Sequence, residues 1–360
     1  MKLFEPYFLD DIALPNRIVM APMTRNRASG TIPQEMAAIH YAARAGAGLI
    51  VSEATQVSPR GQGYQDTPGI HSAAQVLAWR AVTDAVHREG GRMFVQLVHV
   101  GRLSHSDFHG APPVAPSAVT PVGFIRTPQG LKPYETPWAL SPAEVAQVVD
   151  EFGRAAALAR EAGFDGVEIH GASGFLIDQF LQSGTNQRTD EYGGSLGNRV
   201  RFALEIVEAV SGAWDKARIG FTVSPGGSHK GIRDENPLET FAFAARALDR
   251  QGVGYLHVLE EPINELSPAR LMRENFKGTL VSSGNYTRDS GEEALQAGRA
   301  DLVAFGRAFT ANPDLVEKLR TKARLALPDP KTFYSGGALG YIDAVPIRTP
   351  AEAPPSNFLK

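Results

Sequence analysis

At 360 residues, 43% apolar and 21% charged, the chain is long enough for one large elaborated barrel or two ordinary domains. It has no cysteine, which excludes disulfide scaffolds, thiolate zinc sites, iron–sulfur clusters and cysteine nucleophiles. With 36 basic against 39 acidic residues and a formal net charge of −3 it offers no electrostatic footprint for nucleic acid. No apolar run approaches a membrane span, and residues 1–16 carry Asp10 and Asp11 where a signal peptide needs apolar residues, so the expected location is cytoplasmic.

Short apolar, β-rich runs alternate with longer amphipathic stretches, the pattern of βα units around a parallel sheet. The runs are residues 17–20, 49–52, 93–97, 166–170, 219–223, 255–259, 280–283 and 302–305. Helices are predicted near 33–44, 73–88, 142–162, 196–212, 237–251, 267–275, 288–297 and 313–321. Ser141-Pro-Ala-Glu144 and Asn236-Pro-Leu-Glu239 each put a cap residue before proline, with glutamate at the third helical position. Beyond the first, Val145, Val148, Val149, Phe152 and Ala156 keep a helical period and predict one buried face.

Eight strands each followed by a helix is the count of a (β/α)8 TIM barrel, an α/β fold, whereas a doubly wound sheet would need fewer strands. The surplus over a plain barrel falls in three places. Residues 1–16 predict an N-terminal hairpin cap on the barrel floor, 101–140 a Pro- and Gly-rich covering loop after the third strand, and 322–360 a Pro-rich tail. One domain over 1–360 is expected.

Barrel enzymes work at the carboxyl ends of their strands. The residues there are polar but poor in carboxylates: glycoside hydrolysis would have to draw on Glu53, Glu260 or Glu261, and no cluster has metal-ligand spacing, so no metal is expected. Gly284 with Asn285 and Gly306 with Arg307 follow the last two strands, where barrels commonly bind phosphate; spacing alone is equally compatible with glycines that merely turn the chain. Alternation puts Glu168 and His170 on one face of the fourth strand, and at the rim His170 could donate a hydrogen bond to a carbonyl oxygen. An isolated histidine is more often structural, Phe175 by default belongs to the core, and Tyr64 and Tyr334 by default pack or face solvent.

Whole segments in order then resemble the Old Yellow Enzyme family of flavin-dependent ene-reductases. They include Asn16-Arg-Ile-Val-Met-Ala-Pro-Met-Thr-Arg25, Val95-Gln-Leu-Val-His99, Gly166-Val-Glu-Ile-His-Gly-Ala172 with Asp178-Gln-Phe-Leu181, Asn186-Gln-Arg-Thr-Asp-Glu-Tyr-Gly-Gly194, Ala304-Phe-Gly-Arg307 and Thr332-Phe-Tyr334. The resemblance implies FMN across the barrel top, reduced by NAD(P)H, and an enone or related small carbonyl compound as substrate; it leaves homodimer assembly open. It places the cofactor phosphate on Gly284, Asn285, Gly306 and Arg307, and the ring near Pro22, Met23, Thr24, Ala54, Gln96 and Thr222. It implies catalytic roles for His170 and Ser173, and substrate contact for Tyr64, Val98, Phe175 and Tyr334.

The departures from the family pattern fall on chemistry-bearing positions. Ser173 stands where the family has Asn or His, Phe175 where it has a proton-donating Tyr, Thr222 where it has an Arg facing the flavin, and Val98 where an aromatic is frequent. A lost general acid is worth roughly 10²–10⁴ in rate. A lost charge-assisted bond is worth roughly 1.5–3 kcal/mol. Three roles are compatible with these changes: an ene-reductase, a redox-neutral flavin isomerase, or a flavin-free lyase, cyclase or binding protein. Arg233, His229 or Lys230 could replace the missing charge, and a proton would have to come from water, a histidine, or a tyrosine such as Tyr64 or Tyr334.

Overall fold

The computed structural model describes residues 1–261, 263, 266–334 and 336–345. Among these described residues eight parallel strands close into a barrel: β1 (Ile18–Met20), β2 (Leu49–Val51), β3 (Met93–Val98), β4 (Gly166–Gly171), β5 (Ile219–Val223), β6 (Tyr255–Leu259), β7 (Thr279–Ser283) and β8 (Leu302–Phe305). Each pairs with the next, and β8 returns to β1 through Phe305 opposite Met20. The strands are buried almost throughout, as expected for a parallel sheet covered on both faces.

The helical ring consists of α1 (Glu35–Ala42), α2 (Ala73–Arg88), α3 (Pro142–Glu161), α4 (Leu196–Ser211), α5 (Pro237–Gln251), α6 (Pro268–Asn275), α7 (Arg288–Gln296) and α8 (Leu315–Thr321). The predicted capping box at Ser141 and Glu144 forms, and Val145, Val148, Phe152 and Ala156 are buried. Asn236 behaves differently from the prediction. Its backbone lies outside the extended region a cap needs, and its Nδ2 donates to Glu239 at 2.8 Å instead of its oxygen capping α5.

The first predicted surplus segment is an antiparallel hairpin, Tyr7–Leu9 against Ile12–Leu14. Leu9, Ile12 and Leu14 pack among Val19, Leu49, Phe94, Tyr255 and Val281, so the hairpin closes the barrel floor and leaves the other end for the site. The 101–140 loop carries its own hairpin, Phe124–Thr127 with Gly130–Pro133, whose Ile125 packs with Val98, Leu103, Tyr134 and Phe175. In the tail, buried Arg27 donates to the carbonyls of Thr332, Gly337 and Leu339 at 2.8–2.9 Å, and Arg25 to that of Gly340 at 2.6 Å. A planar guanidinium fork suits such a row of acceptors, and it straps 332–334 and 336–340 beside β1. Residues 346–360 of the predicted tail lie outside the described residues.

Candidate active site

At the open end, β4 delivers His170 and the turn after it. The Ala172 N–H approaches His170 Nδ1 at 3.4 Å, so Nδ1 is the acceptor and the ring hydrogen sits on Nε2. Burial pulls this imidazole down to about 4, leaving it a neutral donor near pH 7. Ser173 adopts a left-handed φ of 60° and Gly174 one of 75°. This turn is tied down by Ser173 N–H donating to Ser224 Oγ at 2.8 Å and Gly174 N–H to Asp178 at 2.9 Å. Asp178 is itself pushed up to about 7 by burial. Phe175 meets the His170 ring edge-on at 4.9 Å and the Tyr64 ring at 6.4 Å.

These groups border a cavity of about 300 Å³. Its walls combine Pro22, Thr24, Ala54, Gln96 and Thr222 with Tyr64, His170, Ser173 and Phe175. Val98 lies just behind, lining a cleft shared with Tyr64 and Phe175. Met23 and Gly306 meet at the edge of β1 and β8. Gly284 and Asn285 lie in an open groove of about 330 Å³ with Tyr286, Ser290 and Arg299. Arg307 is exposed, with no side-chain partner among the described residues. Tyr334 does not join the predicted substrate wall: it is 64% exposed, because the strap turns its backbone carbonyls toward Arg25 and Arg27 and its ring toward solvent.

Beneath the cavity lies a network that motif reading did not assemble. Glu168, fully buried, accepts from Thr222 Oγ1 at 2.7 Å, Gln96 Nε2 at 2.8 Å, Tyr255 OH at 2.9 Å and His257 Nδ1 at 2.9 Å. Burial pushes this carboxyl up, but the His257 imidazole and the hydrogen bonds outweigh it and hold it below its ordinary value. The signal was the alternation that puts Tyr255, His257 and Leu259 on one face of β6; their meeting with Glu168 requires a closed barrel. Leu259, Gly227 and Glu261 were also not singled out as pocket lining.

The network settles what Thr222 and Gln96 present upward. Thr222 gives its hydroxyl hydrogen to Glu168, and Gln96 commits its amide nitrogen there, leaving its carbonyl oxygen for the cavity. None of the three suggested loop cations restores a fixed charge. Lys230 Nζ lies 5.6 Å over the Tyr134 ring, and Arg233 is exposed. His229 lines the cavity, but burial and neighbouring Lys230 lower its affinity for a proton.

The residues fit FMN. A Cβ on Gly306 would come within 3.0 Å of Met23 Sδ, and one on Gly284 within 3.2 Å of Glu260 Cβ, so glycine keeps both strand ends open to a phosphate. Arg307, with no side-chain partner among the described residues, directly follows Gly306. No group of residues that could hold a metal occurs among the described residues, and none of their helices is long and apolar enough to cross a membrane.

A closed eight-stranded barrel with a polar cavity at the carboxyl ends of its strands and glycines after β7 and β8 defines an enzyme of the (β/α)8 class. The model of the NADH:flavin oxidoreductase / NADH oxidase family matches residues 2–325, and the chain belongs to this family, that of Old Yellow Enzyme. Among its relatives, 12-oxophytodienoate reductase 2 of Arabidopsis thaliana is 41% identical over 95% of either chain, and 12-oxophytodienoate reductase 7 of Oryza sativa subsp. japonica 42% identical over 95% of this chain and 93% of that one. Morphinone reductase in a complex with tetrahydroNAD superposes with a TM-score of 0.92 at 44% identity, covering 98% of this chain and 99% of that one. The Old Yellow Enzyme homologue from Zymomonas mobilis gives 0.94 at 40%, covering 96% and 100%. The protein is accordingly an NAD(P)H-dependent flavin oxidoreductase with FMN as cofactor.

Proposed function

We propose that the protein, acting as one unit, reduces the activated C=C bond of an α,β-unsaturated carbonyl compound with NAD(P)H. FMN, when bound, supplies the two-electron hydride chemistry. Gly284, Asn285, Gly306 and Arg307 would hold its phosphate, and Pro22, Met23, Thr24, Ala54, Gln96 and Thr222 its ring. The carrying observation is that His170, a neutral N–H donor, and Ser173 converge on the cavity those ring-binding positions line. Such donors stabilise negative charge developing on a substrate carbonyl oxygen, while Tyr64, Val98 and Phe175 supply the apolar wall. The relatives' names, reductases of 12-oxophytodienoate and of morphinone, support a ketone as the activating group.

Phe175 favours a second reading: a hydride delivered without a proton donor can be returned, which isomerises the alkene. The test is anaerobic reduction with NADH or NADPH followed by cyclohexenone. Reoxidation with formation of the saturated ketone is expected; reduction followed by isomerisation alone would replace the first reading with the second. A protein that purifies colourless and stays so with FMN would sink both.

Thr222→Arg is expected to tighten FMN binding about tenfold or more, because an arginine there gains a charge-assisted bond worth about 1.5–3 kcal/mol. Titration of the apoprotein by flavin fluorescence checks this; unchanged affinity would mean that the new guanidinium stays on Glu168.

A further inference from the structure

We infer that Tyr64 is the proton donor of the reaction, from the wall of the cavity next to Phe175; this rests on the alkene reduction proposed above. The side chains bordering the cavity that can donate a proton are few. His170 is neutral through the physiological range, and its one ring hydrogen is aimed as a hydrogen-bond donor. His229 sits at the exposed mouth, where burial and neighbouring Lys230 lower its affinity for a proton, so near neutral pH it is the uncharged imidazole with no acidic proton to give. Ser173 and Thr24 carry aliphatic hydroxyls, far weaker acids than a phenol, and Thr222 has given its hydrogen to Glu168. Tyr334, the other tyrosine the family pattern points to, is 64% exposed and outside the cavity lining.

Tyr64 meets the requirements these groups miss. It lines both the main cavity and the cleft behind it, and its hydroxyl has no hydrogen-bond partner among the described residues. Its ring packs edge-on against Phe175 at an interplanar angle of 78°, and its backbone carbonyl accepts from Gln62 Nε2 and Thr67 Oγ1, both at 3.0 Å. The phenol is thus held in place with its polar end uncommitted. Burial, with Tyr134 and Tyr334 nearby, raises its pKa, so it stays protonated across the working range.

The step balances without a further reagent. Hydride with its electron pair forms the new C–H bond at the β-carbon, and the π pair shifts to the α-carbon and the carbonyl oxygen polarised by His170. The α-carbon takes the Tyr64 proton, and the resulting phenolate is reprotonated by water.

The test is single-turnover reoxidation of the reduced FMN enzyme by cyclohexenone. Tyr64→Phe removes only the hydroxyl and is expected to slow reoxidation by about 10²-fold or more, the usual worth of a general acid. FMN content should match wild type, and reduction by NADH or NADPH, a hydride transfer that uses no general acid, should slow far less than reoxidation. In the Tyr64→Phe background, Phe175→Tyr should restore most of the rate, and the wild-type rate should be flat from pH 6 to 9. A Tyr64→Phe enzyme reoxidised as fast as wild type overturns the assignment, as does a wild-type rate lost as a group below the ordinary histidine range deprotonates, a loss that disappears in His229→Gln, which would transfer the role to His229. A wild-type enzyme that no enone reoxidises removes the reduction itself and the Tyr64 role with it; a reoxidised wild type matched by Tyr64→Phe removes only the latter.

Discussion

Glu168→Ala is expected to cost about 3–5 kcal/mol of stability, because it leaves several buried donors without their acceptor. The carboxylate is the common acceptor of four donors from three strands, and only Gln96 Nε2 has a second acceptor, a long contact of 3.5 Å to Thr222 Oγ1. Deleting it strands Gln96 Nε2, Thr222 Oγ1, Tyr255 OH and His257 Nδ1 in a dry interior, at about 1–3 kcal/mol for each group left unsatisfied. His257 Nε2 is already without a partner, so its ring would then make no hydrogen bond at all.

Glu168→Gln should fall between, because its one oxygen can keep two donors while its own amide hydrogens oppose the others. The pH dependence supplies a second check. A carboxyl held below its ordinary value contributes stability that is present above that value and lost as pH falls through the folded one. The gap between wild type and Glu168→Gln should therefore be full at pH 7 and shrink in acid. Glu53 and Asp178, both pushed up to about 7 by burial, act with the opposite sign: their cost grows as pH rises from about 4 through 7. Urea unfolding of wild type and both variants at pH 7 and at about pH 3, below the ordinary carboxyl value, measures this, and a loss under about 1 kcal/mol for Glu168→Ala would show that water replaces the carboxylate.

The same network marks where sequence reading stops. Each barrel strand was legible because short runs dominated by apolar and β-branched residues alternate with helical periods, and Ser141 with Glu144 announces α3 through local chemistry alone. Glu168 stands nearly 90 positions before Tyr255 and His257, with β5 between their strands, and only the pairing and curvature of β4, β5 and β6 bring them together. Tyr334 failed for a related reason. Its orientation depends on Arg25 and Arg27, more than 300 positions away, which hold the backbone on either side of it. Asn236 failed locally: its backbone lies outside the extended region and its amide nitrogen donates to Glu239, so its oxygen does not accept from the first turn of α5. Of the suggested loop cations, Lys230 was drawn onto the Tyr134 face, a contact set by how the 101–140 loop folds over the barrel.

His170→Ala should lower the rate of enone reduction by about 10²–10³-fold, the usual effect of removing one donor that meets developing oxyanion charge. The argument rests on which hydrogen the ring carries. With Nδ1 accepting from the Ala172 N–H, the hydrogen on Nε2 is the one available to a ligand, and because burial brings the imidazole down to about 4 that hydrogen remains in place without an added charge from pH 5 upward. The activity that depends on it should therefore be flat in pH where a free histidine would titrate. His170→Asn should retain more activity than His170→Ala, since an amide N–H can reach part of the same space. Reduction of the cofactor by NAD(P)H is a control for packing: loss of the ring also removes the edge contact with Phe175, and a collapsed cavity would slow both half-reactions together. Impaired enone reduction with intact cofactor reduction assigns the donor role. Undiminished enone reduction in His170→Ala would leave the histidine as a packing residue and move carbonyl recognition to Ser173.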